Sequence, residues 1–407
     1  MHNEEKNITT NKTSLSYLFF TLLKIGAISW GGFMALISVV QKEFTEKKKL
    51  ISNENILDGI ALASILPGPM AFNVVTFLGY KLNGLKGAFI SMLAILLPSF
   101  VLMIILSWLY FSYGQLPALN SFFMGVLPAI AAIIFSVAFE MSEKNIKDPY
   151  QGLIAAGAVI ILLFIKSFYI TLLIMLFSAF LGYFIYRKKV PANPHVSTKD
   201  KKSTKLYLSL ALIVIVSIAI VASFPVFCSG SAKEFCLLQQ KISIIFSSLS
   251  LSLFGGGYVI IPIMENTFVN HLGWLTTKEF ADGIALGQVT PGPIFISATF
   301  IGYKVGGLTG AVVATISVFL PPAILMIALS EFIDKIKHSS GIKASFKGLR
   351  PAVIGMIFSA VVTIGKSAEI EWSSLLIFLF ILILSLKYKL NVAYLIPMAG
   401  LIGILIF

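Results

Sequence analysis

Two Pro-Gly-Pro triplets inside apolar runs constrain the fold of this 407-residue chain more than any other feature. Pro67-Gly68-Pro69 interrupts one apolar run, and Pro291-Gly292-Pro293 interrupts another. Proline removes a backbone donor and clashes with the preceding helical turn, so each triplet breaks a helix. Irregular backbone is tolerated at membrane depth only where it lines a cavity or packs against protein. The alternative interpretation is a pair of packing kinks.

Apolar runs long enough to cross a bilayer recur along the chain, in which 57% of the residues are hydrophobic and 12% are charged. Soluble domains carry about 25% charged residues. The composition therefore predicts an all-α polytopic integral membrane protein embedded in a lipid bilayer. The net charge of +13 fits the Lys- and Arg-rich cytoplasmic loops of membrane proteins and suits an anionic substrate. We expect no binding to nucleic acid.

The chain contains one pattern twice, which indicates a duplication. Asp58-Gly-Ile-Ala-Leu precedes the first triplet as Asp282-Gly-Ile-Ala-Leu precedes the second, and Pro67 and Pro291 are 224 positions apart. After the triplets the offset between matching residues becomes 223. Further matches are Lys81 with Lys304, and Gly31-Gly32 with Gly255-Gly256.

The apolar runs predict about thirteen transmembrane segments. Six lie in a first repeat (residues 1–186), and a basic linker follows (187–205). One extra helix (206–225) then precedes a second repeat of six (226–407). An odd helix between two even halves turns the second half over, which predicts two inverted homologous halves with broken Pro-Gly-Pro helices. The positive-inside rule places the linker in the cytoplasm of a cell-membrane protein.

One loop disagrees with this topology. When every apolar run crosses once, the lysine-rich residues 46–50 fall outside. A re-entrant hairpin over residues 55–82 would return them to the cytoplasm, but the same change in the second half would move the lysines between 335 and 389 outside. We therefore prefer broken helices that cross the membrane.

The paired breaks predict the substrate site, because corresponding interruptions in two halves line the central site of many transporters. A helix that restarts after a break presents free N–H groups and the positive end of its dipole, which favours an anion. We expect six N–H groups to converge on one oxyanion, those of Gly68, Met70, Ala71, Gly292, Ile294 and Phe295. Neighbouring polar side chains either join the site or bond other helices: Ser64, Asn73, Gln288, Thr290 and Ser297.

Two cations lie deep within apolar sequence, Lys24 and Arg350, and we expect them to neutralise a divalent anion at the site. The alternatives are snorkelling of Lys24 to the headgroups and an interfacial position for Arg350. Vestibule or coupling roles are open to Asp58, Lys81, Asp282 and Lys304. For the two aspartates helix capping is the alternative, and for the two lysines it is anchoring.

The sequence gives no reason to expect an enzyme, a metal or another cofactor. It contains no HExxH motif, no P-loop and no Cys/His cluster with metal-ligand spacing. Cys228 and Cys236 share one polar loop, in which a disulfide and two free thiols are both open.

The stretches FGGGYVIIP and TPGPIFISATFIGYKVGG resemble the long-chain members of the chromate ion transporter family, and the resemblance covers nearly the whole chain. It implies an inner-membrane secondary transporter that exports chromate. The proton gradient, the membrane potential or a counter-anion would drive it, and a sulfate-like oxyanion or an anion channel is the alternative. A homodimer is one option for its assembly. The family motifs correspond to Gly31, Gly32, Pro67, Gly68, Pro69, Gly255, Gly256, Gly257, Pro291, Gly292 and Pro293.

Overall fold

The computed structural model describes residues 13–29, 33–113, 117–165, 168–189, 232–252, 260–330, 340–367 and 371–407. These residues form helices and their connections, with no β-strand among them. The extra helix predicted at 206–225 and most of the linker lie outside the described residues. So do all five residues of the glycine clusters: Gly31, Gly32, Gly255, Gly256 and Gly257.

The two halves contain corresponding helices. The first half has α1 (Leu15–Ile28), α2 (Phe33–Gln41), α3 (Asn53–Ala63), α4 (Met70–Tyr113), α5 (Pro117–Asn145), α6 (Pro149–Phe164) and α7 (Phe168–Tyr186). The second half has α8 (Ala232–Leu251), α9 (Ile260–Glu265), α10 (Thr277–Val289), α11 (Ser297–Leu329), α12 (Ser340–Ser367), α13 (Trp372–Leu386) and α14 (Val392–Ile406).

Length and composition allow four stretches of the described chain to cross a membrane: Met70–Tyr113, Pro117–Asn145, Ile294–Leu329 and Ser340–Val362. Five further apolar helices are shorter. The chain is therefore a multi-pass helical membrane protein, as its composition predicts. The inversion of the halves stays a prediction, and the count of thirteen crossings depends on the course of the Pro-Gly-Pro segments.

The Pro-Gly-Pro segments fold back on themselves. Residues 59 and 77 would be about 27 Å apart along one continuous helix at 1.5 Å per residue. However, a Cβ on Gly59 would lie 2.9 Å from the Phe77 ring, and one on Gly283 would lie 2.5 Å from the Phe300 ring. Each triplet is thus the tip of a helical hairpin, and the predicted broken helix that crosses once is wrong. The two prolines and the glycine reverse the chain because together they end one helix and allow the next to start in a new direction.

Helices α4 and α11 each reverse a second time. The backbone leaves helical geometry at Asn83–Gly84 and at Gly306–Gly307, and both Gly84 and Gly307 have φ of +61°. The reversal gives α4 a first arm (residues 70–82) and a second arm (85–113). In α11 the arms are residues 297–305 and 308–329. The apolar runs of the sequence predict boundaries at these same places.

The first two helices of each half also form a hairpin. The Tyr17 hydroxyl lies 3.5 Å from Glu43 Oε1, which requires α1 and α2 to run antiparallel. In the second half, the rings of Phe246 in α8 and Phe268 after α9 stack with centroids 4.9 Å apart. The glycine clusters fall between the paired helices, outside the described residues.

These reversals bring one set of helix ends together, here called the basic end. Ala88 packs against Ile327 there, and the Gln151 amide donates to the Lys347 carbonyl at 3.3 Å. The helices and loops place these described cations at the basic end: Lys42, Lys47, Lys48, Lys49, Lys81, Lys86, Lys144, Lys147, Arg187, Lys188, Lys343, Lys347, Lys387 and Lys389. The opposite end holds Tyr110, Asn120, Lys278 and Lys304.

The lysine-rich loop at residues 46–50 therefore lies at the same end as Lys343 and Lys387. Each half contains two hairpins, and each hairpin returns to the end at which it starts. Two single crossings would also bring the chain back to that end, so the direction of every later helix is the same in both cases. The loop disagrees with the positive-inside rule only when each hairpin is counted as one crossing.

The second arms of α4 and α11 run antiparallel. Ala88 contacts Ile327 at the basic end, while the Phe111 and Tyr303 rings stack with centroids 6.1 Å apart at the opposite end. Helix α12 packs on α5, α6 and α7, and α5 packs on α12, α13 and α14. Small residues allow this close approach, as where Gly348 meets Gly182.

Candidate anion-binding site

The tip of each Pro-Gly-Pro hairpin packs against the second arm of the other half. Gly68 and Gly292 have φ of +101° and +121°, which side-chain-bearing residues rarely adopt. A Cβ on Gly68 would clash with the Pro322 ring, and one on Gly292 would clash with the Ser99 hydroxyl. That hydroxyl donates to the Pro291 carbonyl. Glycine is required at both tips for its backbone conformation and for the close contact.

The helix that restarts after the first tip has free N–H groups. Within the described residues, the Asn73 N–H donates to the Pro69 carbonyl at 2.9 Å. The N–H groups of Met70, Ala71 and Phe72 have no backbone or side-chain acceptor there. After the second tip the chain begins with a single 3₁₀ turn, Ile294–Ile296, before α11 starts. The first tip thus presents the longer regular helix start and the stronger dipole.

The two restarts share one aromatic neighbour. Phe72 follows the first tip and its ring centroid lies 4.9 Å from that of Phe319, while the Phe295 ring after the second tip lies 6.4 Å from Phe319. The Phe319 side chain thus contacts both first turns. Convergence of all six N–H groups on one ion stays a prediction, and this aromatic ring would have to move for it.

Most of the polar side chains beside the tips use their donors locally. The Asn73 amide donates to the Pro67 carbonyl at 3.1 Å and its repeat counterpart Ser297 donates to Ile294 at 2.7 Å. Thr290 and Ser64 likewise donate to the carbonyls of Gly287 and Ala61, at 2.9 Å and 2.7 Å. These side chains therefore hold the shape of the hairpins. Gln288 is buried at the end of α10.

Arg350 lies in the middle of a helix, not at a helix start. It is the eleventh residue of the Ser340–Val362 stretch, so it lies about 15 Å from the basic end at 1.5 Å per residue. Helix α3 runs from Asn53 to Ala63 over the same length, which brings the first tip to a similar depth. The alternative that placed Arg350 at the start of a helix is therefore wrong.

A row of exposed cations leads to Arg350 along one face of α12. Lys343, Lys347 and Arg350 follow at spacings of four and three residues, and all three side chains are exposed. One turn deeper on the same face, Ile354 and Ile357 are 0% and 1% exposed. The cationic face, here called the basic ladder, therefore ends against the protein core, as the wall of a vestibule would.

Lys24 lies elsewhere. Its side chain is exposed, and its neighbours one turn away on α1 are Phe20 and Ile28, which are 66% and 56% exposed. An exposed apolar face of this kind is suited to lipid, and a lysine on it extends its ammonium group to the headgroups. The structure does not bring Lys24 together with Arg350.

The two aspartates differ in their surroundings, and neither caps a helix. Ser52 caps α3 and Thr276 caps α10 with a capping box to Glu279. Asp282 is fully buried and its Oδ2 accepts a hydrogen bond from the Tyr110 hydroxyl at 2.7 Å. Asp58 is only partly buried. The capping alternative for both aspartates is therefore wrong.

The two lysines that end the Gly-Tyr-Lys sequences also differ. Lys304 forms an ion pair with Glu279 at 2.6 Å and lies over the Phe111 ring at 5.1 Å. It fastens the start of α10 to the turn of α11, in agreement with an anchoring role. Lys81 is exposed and lies 5.3 Å from the Phe77 ring centroid.

Three features of this region were not predicted from the sequence. They are Tyr110 as the partner of Asp282, the bond from Lys278 to the Asn120 side chain, and the basic ladder. The ladder has a signal in the sequence, because three cations recur at helical spacing in α12. The two contacts between halves have none. Cys236 is in a disulfide, and Cys228, the only other cysteine of the sequence, lies outside the described residues.

Comparison with known proteins agrees with this architecture. The sequence profile of the family described as chromate transporter matches residues 16–183 and 240–404, one region in each half. A chromate transport protein of Pseudomonas aeruginosa is 30% identical, over 97% of this chain and 93% of its own length. A chromate transport protein of Cupriavidus metallidurans is 29% identical, over 97% of this chain and 94% of its own length.

A shorter relative corresponds to one half of the chain. An uncharacterized transporter of Bacillus subtilis is 32% identical over 41% of this chain and 96% of its own length. No solved structure matches the chain. The two profile matches and the full-length relatives establish that the chain belongs to the chromate transporter family.

Proposed function

We propose that this protein exports chromate from the cytoplasm as a secondary transporter that works by alternating access. The substrate is taken from the names of the full-length relatives. The observation that carries the mechanism is the basic ladder, whose innermost member Arg350 lies at the depth of the first Pro-Gly-Pro tip. An anion in this vestibule would meet a guanidinium group and the free N–H groups of the α4 helix start.

The charges at this position suit a tetrahedral dianion. The α4 helix start supplies about half a positive charge and three free N–H groups. The planar guanidinium of Arg350 adds a full charge and can bind two oxygens at once. Lys343 and Lys347 raise the local concentration of anions at the basic end. Lys24 and the second tip are not needed for this site.

The distribution of cations supports a cytoplasmic location of the basic end. Fourteen described cations lie there, including Lys47, Lys48 and Lys49 in one loop. Cytoplasmic loops are enriched in Lys and Arg. The proposed vestibule then opens toward the cytoplasm, the side from which an exporter collects its substrate. The inversion of the two halves and the cytoplasmic linker are parts of the same proposal.

The packing at the opposite end favours a transporter over a channel. There, α10 is buried against α5, α12 and α14, and it would close the path of an ion. A channel conducts through a pore that is open at both ends, while alternating access requires one end to be closed.

Uptake of labelled chromate into inside-out vesicles tests the proposal. We expect accumulation against a gradient, competition by sulfate, and a loss of at least about tenfold in Arg350→Met, equal to about 1.4 kcal/mol. Lys86→Met is the matched control, since Lys86 is exposed at the same end and lies outside the ladder. Equilibration without accumulation would identify a channel, and sulfate uptake without chromate uptake would reassign the substrate.

A further inference from the structure

The two halves are packed alike except around α2 and α3 and their counterparts α9 and α10. Helices α5, α6 and α7 pack as α12, α13 and α14 do, but α10 and its counterpart α3 do not match. Helix α10 contacts α5, α12 and α14, whereas α3 packs chiefly on α4. No contact of similar extent joins α3 to α12 or α7 among the described residues. The structure is therefore closed around α10 and open around α3.

Three contacts close the opposite end. Leu127 of α5 packs against Ala281 of α10, and the Tyr110 hydroxyl bonds Asp282. The Lys278 ammonium donates to the side-chain oxygen of Asn120. Each contact joins a residue of the first half to a residue on α10.

The repeat offsets identify the residues that would make the last of these contacts at the basic end. The offset of 224 matches Lys278 with Glu54, and the offset of 223 matches Asn120 with Lys343. At the opposite end the two residues are a cation, Lys278, and a neutral amide, Asn120. At the basic end their counterparts are an anion, Glu54, and a cation, Lys343. Within the described residues neither Glu54 nor Lys343 forms an ion pair, and both are exposed.

We propose that Glu54 and Lys343 form the gate that closes the basic end when α3 moves onto α12, as α10 now lies on α5. This rests on the proposed alternating access. Lys343 is also the outermost residue of the basic ladder, so it would attract the anion while the gate is open. In the closed state the Glu54 carboxylate takes the place of the anion beside this ammonium group. The gate therefore closes behind a substrate that has moved inward to Arg350.

The apolar contact also changes character between the ends. Leu127 and Ala281 are apolar neighbours, and their counterparts are Arg350 and Leu57. Leu57 is 64% exposed while Ala281 is 2% exposed. Closing the basic end would cover Leu57 and bring α3 over Arg350, which would shield an anion bound there from water.

Cross-linking tests the gate without reference to the substrate. Vesicles that contain the double variant Glu54→Cys/Lys343→Cys are treated with a short bifunctional thiol reagent. No reductant is added, so that the Cys236 disulfide stays intact. We expect cross-linking at least about tenfold faster than for Lys86→Cys/Lys343→Cys, a pair at the same end in which Lys86 lies outside the gate. Equal rates for the two pairs would overturn the proposal.

Charge exchange gives a second readout. In a Leu57→Cys background, Glu54→Lys should raise the rate of maleimide labelling at position 57 at least about threefold, because two cations would hold the gate open. Adding Lys343→Glu should return the rate to that of the background. A double variant as reactive as Glu54→Lys alone would contradict the pairing.

The two proposals can fail separately. If cross-linking is rapid and labelling is restored in vesicles that accumulate no chromate, the gate is supported and chromate is not the substrate. If chromate accumulates but cross-linking is not rapid and labelling is not restored, chromate transport is supported and the gate is wrong.

Discussion

The hairpin of α3 and α4 and the hairpin of α10 and α11 share one sequence pattern but differ in their surroundings. Both have a Pro-Gly-Pro tip with glycine at positive φ. However, every residue from Phe280 to Gln288 in α10 is buried, while α3 buries only Ile56, Gly59, Leu62 and Ala63. The pattern therefore determines the hairpin, and the helix that faces it determines how deeply the hairpin is packed.

A single pair of counterparts illustrates the difference. Leu127 on α5 offers an apolar surface to Ala281, and the two are buried together. At the equivalent place on α12, Arg350 offers a cation, and α3 lies away from it with Leu57 exposed. A charge on this face has to stay hydrated or meet an anion, because an unpaired charge is costly to bury.

Exchanging these two counterparts should have the largest effect. Leu127→Arg places a cation where Leu127 is 5% exposed, and we expect a loss of about 3–5 kcal/mol of stability, as for an uncompensated buried charge. Arg350→Leu should leave the thermal unfolding temperature in detergent near that of the parent. An equal loss in both variants would show that the two faces are equally buried and would break the comparison.

Substitution of the glycines at the Pro-Gly-Pro tips should have the second-largest effect. Gly68→Ala meets both an unfavourable φ and the Pro322 ring, so we expect a loss of about 1–3 kcal/mol and a fall in transport. Gly84→Ala is the control, because Gly84 has φ of +61° but nothing within 4 Å of the added Cβ. Thermal unfolding and chromate uptake measure both. A larger loss in Gly84→Ala would contradict the importance of the contact between halves.

Removal of a contact at the closed end should have a smaller effect. Tyr110→Phe deletes the hydrogen bond to the buried carboxyl of Asp282, which we expect to weaken the closed packing of α10 by about 1–3 kcal/mol. Maleimide labelling of Ala281→Cys should become faster in this background, since Ala281 is 2% exposed in the closed packing. Tyr113→Phe, an exposed tyrosine of the same helix, serves as the control. Unchanged labelling would mean that the bond does not hold the end closed.

The smallest effect is expected at the turn lysines. Lys304→Gln removes the ion pair to Glu279, and partly exposed pairs contribute about 0.2–1 kcal/mol. Lys81→Gln removes no ion pair of the described structure and should be close to neutral. The difference in unfolding temperature between the two variants should shrink as salt is raised, because salt screens the pair. A difference independent of salt would point to packing against Phe111.

The sequence predicts several parts of the fold correctly. The apolar runs indicate the membrane class, and the glycines at 84 and 307 mark reversals at the boundaries of those runs. The repeat offset of 224 pairs Gly68 with Gly292, and both have positive φ. All of these depend on local chemistry: proline and glycine act on their own backbone, and lipid acts on every run in the same way.

The prediction of a single crossing failed for a nonlocal reason. A Pro-Gly-Pro break can redirect a helix onward or backward, and the choice depends on what the next helix packs against. Here Gly59 has no side chain, so the Phe77 ring can pack against its backbone and the two helices of the hairpin can lie side by side. The periodicity of either helix alone contains no information about that partner.

The sequence by itself determined that this is a duplicated helical membrane protein with two interrupted segments and a deep arginine in one half only, because these properties follow from composition and from residue types in order. Only the tertiary structure decided that the segments are hairpins, that Phe319 lies between their restarts, and that one end is open while the other is closed. Those features depend on which side chains meet across the two halves, and residues such as Tyr110 and Asp282 come together only once the whole bundle has packed.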